Sequence, residues 1–141
     1  METATKKSIT VEVTVKAPVD KVWKGFTEPK SITQWCFASD EWHAPSAEND
    51  LRQQGRFTTR MAAKDGSMGF DFGGVYTQVK EHELIEYAMD DGRMVSVTFQ
   101  QEGNETRVTE TFDPEATHSL EMQRGGWQAI LDNFKKYVEG K

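Results

Sequence analysis

Short segments in which apolar and polar residues alternate, separated by turn signals, occupy the chain from Asp40 to Phe112. Alternation with a period of two is typical of half-buried β-strands, and the Asp-Gly and Gly-Asn pairs between the segments favour hairpin turns. The series predicts six strands that follow one another as an antiparallel meander. A sheet with one apolar face needs a cover, so the rest of the chain has to supply one.

The glycine pair Gly73-Gly74 interrupts one of these segments. Apolar residues occupy even positions before the pair, as at Phe72, and odd positions after it, as at Val75 and Val79. A strand that keeps one face buried changes parity only where an extra residue is inserted. The sequence therefore predicts a bulge or bend at the glycine pair.

The segment before the meander predicts one more strand and two short helices. Between Ile9 and Val15 the odd positions are apolar and the even positions are polar, which is typical of a half-buried strand. Pro18 ends this pattern and suits the first turn of a helix, where apolar residues recur at helical spacing. Glu28-Pro29 then separates this helix from a second one.

The C-terminal segment predicts a long helix. One apolar stripe runs along it through Trp127, Ile130, Leu131, Phe134 and Val138. Gly125-Gly126 lies within the helical pattern, where each glycine costs about 1 kcal/mol relative to alanine. The pair suggests the close approach of another backbone, a kink or a late helix start.

Together these elements predict an α+β fold. A curved antiparallel sheet of about seven strands surrounds the long C-terminal helix, and two short helices follow the first strand. The sheet and the helix curve differently, so they need not meet along their whole length. We expect a pocket between them.

Composition narrows the classes of function. With 17 Lys and Arg against 23 Asp and Glu, the net charge is −6, so the chain repels phosphate backbones and no nucleic-acid partner is expected. The single Cys36 fits a reducing compartment. No signal-peptide pattern and no stretch of roughly 20 apolar residues is present. We expect a cytoplasmic protein whose residues 1–141 form one domain with its core at 9–139, and we make no prediction of its oligomeric state.

Several short motifs extend over nearly the whole chain, from about Ile9 to Glu139. They are Ala17-Pro18, Val22-Trp23, Glu28-Pro29, Trp35, Asp50-Leu51-Arg52, Gly55-Arg56-Phe57, Asp65-Gly66, Gly74-Val75-Tyr76, Leu84-Ile85-Glu86-Tyr87, Thr106-Arg107-Val108-Thr109 and Gly126-Trp127. Their order and spacing resemble the START-like helix-grip superfamily, within the group related to the activator of heat-shock protein 90 ATPase. Gln54 stands where that family often has a glycine.

The resemblance implies a sheet that grips a long helix around a cavity. It does not imply one reaction, because members include co-chaperone-like domains as well as lipid and polyketide binders.

Aromatic residues, which make up 11% of the chain, supply most candidate site residues. Those on the inner face of the sheet either fill a core or line a cavity for a planar or hydrophobic ligand. Alternatively, Trp35, Phe37 and Trp42 form an exposed surface for a partner. The candidate ligand-binding residues are Trp35, Trp42, Phe57, Phe70, Phe72, Phe99, Glu110, Trp127 and Leu131.

Glu110 is the polar member of this set. It shares one face of the last strand with Val108 and Phe112, so we expect its carboxyl to point inward. A buried carboxyl needs a partner or acquires a raised pKa. It therefore orients a polar group of a ligand or acts as a base in an enzyme. Alternatively, it lies near the rim of the sheet or serves as a structural anchor paired with an arginine or a hydroxyl. By the same parity argument, Arg60 and Asp71 are expected in solvent.

No strong catalytic or metal-binding motif accompanies these residues. Cys36 with His43 is the candidate nucleophile and base, but a lone cysteine between aromatic residues is more often a packed side chain. The three histidines, His43, His82 and His118, are far apart and no cysteine cluster assists them, so neither a metal nor a cofactor is predicted.

The leading hypothesis is binding of a small hydrophobic or aromatic molecule in the cavity between sheet and helix. One alternative is a co-chaperone-like activator of heat-shock protein 90 ATPase that acts by surface contact. This is less favoured because such co-chaperones typically add a second domain. The other alternative, also less favoured, is an enzyme that acts on a ligand bound in the cavity.

Overall fold

One antiparallel sheet accounts for all the strands that the structure describes. The structure is a computed structural model, and residues 8–140 are described. Its elements are β1 (Ile9–Val15), α1 (Val19–Thr27), α2 (Pro29–Ile32), β2 (Trp42–Asn49), β3 (Arg56–Ala63), β4 (Gly69–Lys80), β5 (Leu84–Met89), β6 (Met94–Glu102), β7 (Glu105–Phe112) and α3 (Leu120–Glu139).

The strand order in the sheet is β1-β7-β6-β5-β4-β3-β2. Strands β2 to β7 form the expected meander, and α1 and α2 carry the chain from β1 at one edge to β2 at the other. The sheet curls into a half-barrel, and the long helix α3 packs beside β1 and against α1. The predicted α+β helix-grip fold is confirmed.

The register of β1, β7 and β6 follows the alternation seen in the sequence. Val11 pairs with Glu110, and Glu110 in turn pairs with Val97. The inward positions of these strands are apolar apart from Glu110 and the buried Thr106, and they form the main core together with Leu131, Phe134 and Val138 of α3. The α3 side chains that belong to this core therefore lie in the C-terminal half of the helix.

The predicted irregularity in β4 lies at a different position. β4 stays in register with β3 through Gly73-Gly74, and the register shifts instead between Tyr76 and Gln78, against β5. The bulge predicted at the glycine pair is therefore wrong, and Val75 is 37% exposed while Tyr76 faces inward. A Cβ on Gly74 would lie 2.3 Å from a carbonyl oxygen of β5. Gly73 and Gly74 therefore allow β3 and β5 to approach β4 closely.

Helix α3 begins well before its apolar stripe. Ser119 caps it by accepting a hydrogen bond from the backbone N–H of Met122 at 3.1 Å. The helix continues through Gly125-Gly126, and a Cβ at either glycine would meet nothing within 4 Å. A late helix start and a close backbone are therefore both wrong as explanations of the pair. Among the residues described, no helix is long and apolar enough to cross a membrane.

Candidate functional site

A cavity of about 310 Å³ lies between the concave face of the sheet and the first half of α3. Strands β3, β4, β5 and β7 supply one wall, and side chains of α1, α2 and α3 supply the others. The side chains of α3 in the main core, Leu131, Phe134 and Val138, lie in its C-terminal half, whereas Trp127 and Ile130 line the cavity. Its wall includes six of the predicted site residues, namely Trp35, Phe57, Phe70, Phe72, Glu110 and Trp127.

Three predicted site residues lie outside the cavity wall. Phe99 is buried, and its ring packs edge-on against Trp23 of α1, with ring centroids 5.1 Å apart. Leu131 lies on the buried side of α3 and is fully buried in the core. Trp42 is half-buried on β2, and its ring contacts Phe70 with centroids 5.9 Å apart. Trp42 therefore packs against the wall residue Phe70, whereas Phe99 and Leu131 belong to the core.

The alternative of an exposed aromatic surface is wrong for Trp35. Only 5% of this residue is exposed, and its indole N–H donates a hydrogen bond to the carbonyl oxygen of Gly25 at 2.9 Å. The ring also packs edge-on against Phe134 of α3. Trp35 therefore points into the protein and joins α1, the segment after α2, and α3.

Aromatic rings hold one another in place on two sides of the cavity. On the sheet, the Phe57 ring packs edge-on against Tyr87, with centroids 4.7 Å apart. On α3, the indole of Trp127 stacks on Phe112 with centroids 3.9 Å apart and planes inclined by 12°. The ring of Trp127 also packs edge-on with that of Phe72, with ring centroids 6.1 Å apart. These contacts fix the orientation of the planar surfaces that face the cavity.

Tyr76 is held by a chain of hydrogen bonds that leads away from the cavity. Its hydroxyl donates to Oδ1 of Asn49 at 2.5 Å, and Nδ2 of Asn49 donates to the carbonyl oxygen of Thr27 at 2.6 Å. The chain connects β4, β2 and the end of α1. Burial raises the pKa of Tyr76, so this phenol stays neutral. Its hydroxyl proton is already donated to Asn49.

Glu110 is the buried carboxyl of the cavity. It is 8% exposed, as its strand parity predicted, and its neighbours across the ladder are Val11 and Val97. Within residues 8–140, no hydrogen bond or ion pair reaches its side chain, so the anchor role has no partner there. Desolvation by burial raises the pKa of Glu110 to about 8. The carboxyl is therefore mostly protonated at neutral pH.

Two further titratable groups, a phenol and a thiol, line the same cavity as Glu110. Tyr87 and Cys36 both line the cavity, and each is 6% exposed. Burial raises the pKa of Tyr87, and it raises the pKa of Cys36 to about 12, with a smaller contribution from the charge of Glu110 in both cases. In the part of the chain described, Cys36 makes no hydrogen bond to His43. A protonated thiol without a base is a poor nucleophile.

Polar, charged and partly exposed groups complete the lining of the cavity. Phe70 lines the cavity and is 48% exposed, so the cavity reaches solvent beside it. Arg93 pairs with Asp91 at 2.8 Å. Gln123 accepts a hydrogen bond from the backbone N–H of Glu115 at 2.8 Å, which ties the loop after β7 to α3.

Sequence reasoning missed several lining residues. Tyr76 was missed because the bulge was predicted before this residue, whereas the register shift follows it, so the side chain was assigned to the wrong face. Tyr87 shares an inward face with Ile85, and this alternation could have revealed it. Cys36 and Phe26 lie on or beside the short helices, where only the tertiary structure shows which side faces the cavity.

Charged side chains outside the cavity make ordinary surface pairs. Arg60 and Asp71 lie in solvent, as predicted, and form an ion pair at 3.3 Å. Among residues 8–140, no three His, Cys, Asp or Glu side chains come together as a group able to hold a metal ion.

Comparison with known proteins agrees with this architecture. The model of the family described as Activator of Hsp90 ATPase homolog 1-like protein matches residues 16–139. No curated protein matches the chain.

Similar solved structures include an AHSA1-like protein from Aeromonas hydrophila, with 45% identity and a TM-score of 0.90, covering 95% of this chain and 93% of that one. A protein from Cytophaga hutchinsonii is 59% identical, with a TM-score of 0.82, covering 94% of this chain and 92% of that one. A protein from Nitrosomonas europaea, 19% identical and covering 98% of this chain and 97% of that one, shares the fold with a TM-score of 0.82. The family match over residues 16–139 and the relatives from Aeromonas hydrophila and Cytophaga hutchinsonii show that the chain belongs to the Activator of Hsp90 ATPase homolog 1-like family.

Proposed function

We propose that this protein binds a small hydrophobic or aromatic molecule in the cavity between the sheet and α3. The observation that carries the proposal is a space of about 310 Å³ whose wall is largely apolar, rich in aromatic rings, and contains one buried carboxyl. Small-molecule sites typically have volumes of about 300–1,000 Å³, an apolar wall and few polar groups. The proposed contact residues are Trp35, Phe57, Phe70, Phe72, Glu110 and Trp127.

The size of the cavity favours a ligand over a filled core. Native cores are close-packed, and their voids rarely exceed a water molecule. A space as large as this one leaves the faces of Phe57, Tyr87 and Trp127 without packing partners on the cavity side. Filling it with an apolar molecule would recover roughly 25 cal/mol for each Å² of apolar surface removed from water.

The other two functions find less support in the site. A co-chaperone that acts by surface contact needs an exposed patch, and Trp35 of the expected patch is buried. The candidate nucleophile of an enzyme, Cys36, is held as a neutral thiol by burial. Activation of heat-shock protein 90 ATPase therefore serves as the competing outcome in the test.

The test uses the neutral fluorescent probe N-phenyl-1-naphthylamine. We expect saturable, one-site fluorescence enhancement with the wild-type protein. Ile130→Trp places a large ring into the cavity from α3 and should abolish the enhancement, because Ile130 lines the cavity. Met122→Trp adds the same ring to the same helix at a position that is 65% exposed, and it should bind as the wild type does.

Two results would contradict the proposal. If folded Ile130→Trp, checked by circular dichroism, binds the probe like the wild type, the site lies elsewhere. If the wild type binds no probe but stimulates a heat-shock protein 90 ATPase, the surface-contact function replaces ligand binding.

A further inference from the structure

The cavity presents proton donors that have no acceptor. The carboxyl of Glu110 and the hydroxyl of Tyr87 are both more than nine-tenths buried and both line the cavity. Among the residues described, neither side chain makes a hydrogen bond. By contrast, the hydroxyl of the neighbouring Tyr76 is already bonded to Asn49. Buried polar groups are normally satisfied, so an unpartnered pair at one cavity points to a missing partner.

The strand register brings the two groups to the same part of the sheet. Tyr87 of β5 and Phe112 of β7 both pair with Val95 of β6, while Glu110 pairs with the next inward residue, Val97. Tyr87 and Glu110 are therefore separated by two strand spacings, about 10 Å, and one inward step along the strand. Both are long side chains on the concave face. The charge of Glu110 also raises the pKa of Tyr87, as expected for neighbours.

Both groups are hydrogen-bond donors at neutral pH. A carboxylic acid that an apolar site keeps protonated donates a hydrogen bond, as a phenol does. The matching ligand group is an acceptor oxygen. A cationic amine fits less well, because it would have to lose its hydration and force Glu110 to ionise, and because the guanidinium of Arg93 also lines the cavity.

We propose that the ligand of this cavity is a hydrophobic molecule with a carbonyl or similar acceptor oxygen, which accepts hydrogen bonds from the Tyr87 hydroxyl and the Glu110 carboxyl. The inference rests on the proposed function, since it names the chemical class that the cavity takes. The aromatic wall holds the body of the molecule, and the two donors orient its oxygen.

The proposal requires ligand affinity to depend on the protonation of Glu110. The titratable and charged groups that share the cavity are Cys36, Tyr76, Tyr87, Arg93 and Glu115. Burial raises the pKa of the thiol and both phenols, and hydrogen bonds from His118 lower the pKa of Glu115. Between pH 6 and pH 9, Glu110 is therefore the cavity group expected to titrate.

Three compounds of matched shape test the proposal. Benzophenone carries a carbonyl between two phenyl rings, diphenylmethane replaces the carbonyl by a methylene, and diphenylmethylamine carries a cation. Affinities are measured by calorimetry at pH 6 and pH 9, and the carbonyl stretch of ¹³C-labelled benzophenone is recorded in the bound state. At pH 6 we expect benzophenone to bind about tenfold or more tightly than diphenylmethane, and its carbonyl stretch to shift to lower frequency.

Raising the pH should reduce the preference for the ketone, because an ionised Glu110 no longer donates and repels the ligand oxygen. In Glu110→Gln the preference should persist at both pH values, since an amide donates without titrating. In Tyr87→Phe the preference should fall by about fivefold at each pH, because one donor is lost while the ring remains. Both variants are first checked for native circular dichroism, and the carbonyl shift in the wild type tests the proposal without any variant.

Each other outcome overturns the inference. Equal binding of benzophenone and diphenylmethane without a carbonyl shift would show that the cavity takes apolar molecules but has no acceptor site, which leaves the proposed function intact. Tightest binding of diphenylmethylamine at pH 6, where the amine is cationic, together with its loss in Glu110→Gln, would make Glu110 the partner of a cation. Failure of all three compounds, together with failure of N-phenyl-1-naphthylamine, would remove the proposed function as well.

Discussion

We predict that the contribution of the buried Glu110 carboxyl to the free energy of unfolding falls as the pH rises above 4.5. In the unfolded chain the carboxyl ionises near its ordinary pKa of 4.5, whereas burial raises the pKa to about 8 in the folded chain. Between these values the unfolded state loses its proton first. The free energy of unfolding therefore falls by about 1.4 kcal/mol for each pH unit in this range. The total loss is about 3 kcal/mol at pH 7 and about 5 kcal/mol above pH 8.

Glu110→Gln removes this dependence while it keeps the shape of the side chain. The buried amide adds a cost of about 1–3 kcal/mol that does not vary with pH. Relative to the wild type, the variant should be less stable at pH 4.5 and should gain about 3 kcal/mol by pH 7. The other carboxyls, including Asp65 and Glu115, whose pKa values are lowered by hydrogen bonds, are the same in both proteins and cancel in the difference.

Urea denaturation at a series of pH values from 4.5 to 9 measures this difference. Glu48→Gln, which removes an exposed carboxylate on β2, is the control and should parallel the wild type. If the stability of Glu110→Gln also ran parallel to that of the wild type, the carboxyl would be solvated or paired, and the reasoning about its burial would be refuted.

Three further predictions concern packing and backbone. Trp127→Ala should lower the free energy of unfolding by about 2 kcal/mol, because a half-buried ring stacked on Phe112 is lost; an unchanged urea midpoint would contradict the stacking. Gly126→Ala should raise stability by about 1 kcal/mol, since its Cβ meets nothing, whereas Gly74→Ala should lower it by about 3 kcal/mol, since its Cβ would overlap a backbone oxygen. Equal melting temperatures for these two variants would refute the contrast. Gln54→Gly should raise stability by up to about 1 kcal/mol, because Gln54 has a φ of 70° that favours glycine; a lower melting temperature would show that the glutamine side chain is needed.

Most of the fold could be predicted because its signals are local. Alternation with a period of two marks both an edge strand such as β1 and the last strand β7, and the apolar stripe marks α3. The error in β4 arose where local pattern and pairing differ. An apolar residue at 75 suggested a change of face, but Val75 lies on the exposed face and the shift occurs after Tyr76.

The candidate site was less accessible to sequence reasoning. The sequence could identify aromatic residues on the inner face, yet it could not separate those that fill space from those that leave it open. Phe57 and Phe99 have the same inward parity and are both buried, but Phe99 meets Trp23 of α1 while Phe57 faces the cavity. The difference depends on where α1 and α3 cross the sheet.

By itself, the sequence determined the order of the elements, the face on which Glu110 lies and the absence of a strong catalytic motif. These properties follow from residue type and period, which neighbouring residues in the chain define. The tertiary structure alone decided that α3 leaves a cavity over β3 to β5 and that Tyr87 joins Glu110 at its wall. It also decided that, among the residues described, neither of these two side chains finds a partner. Such properties depend on the separation between elements far apart in the chain, and no local pattern encodes that distance.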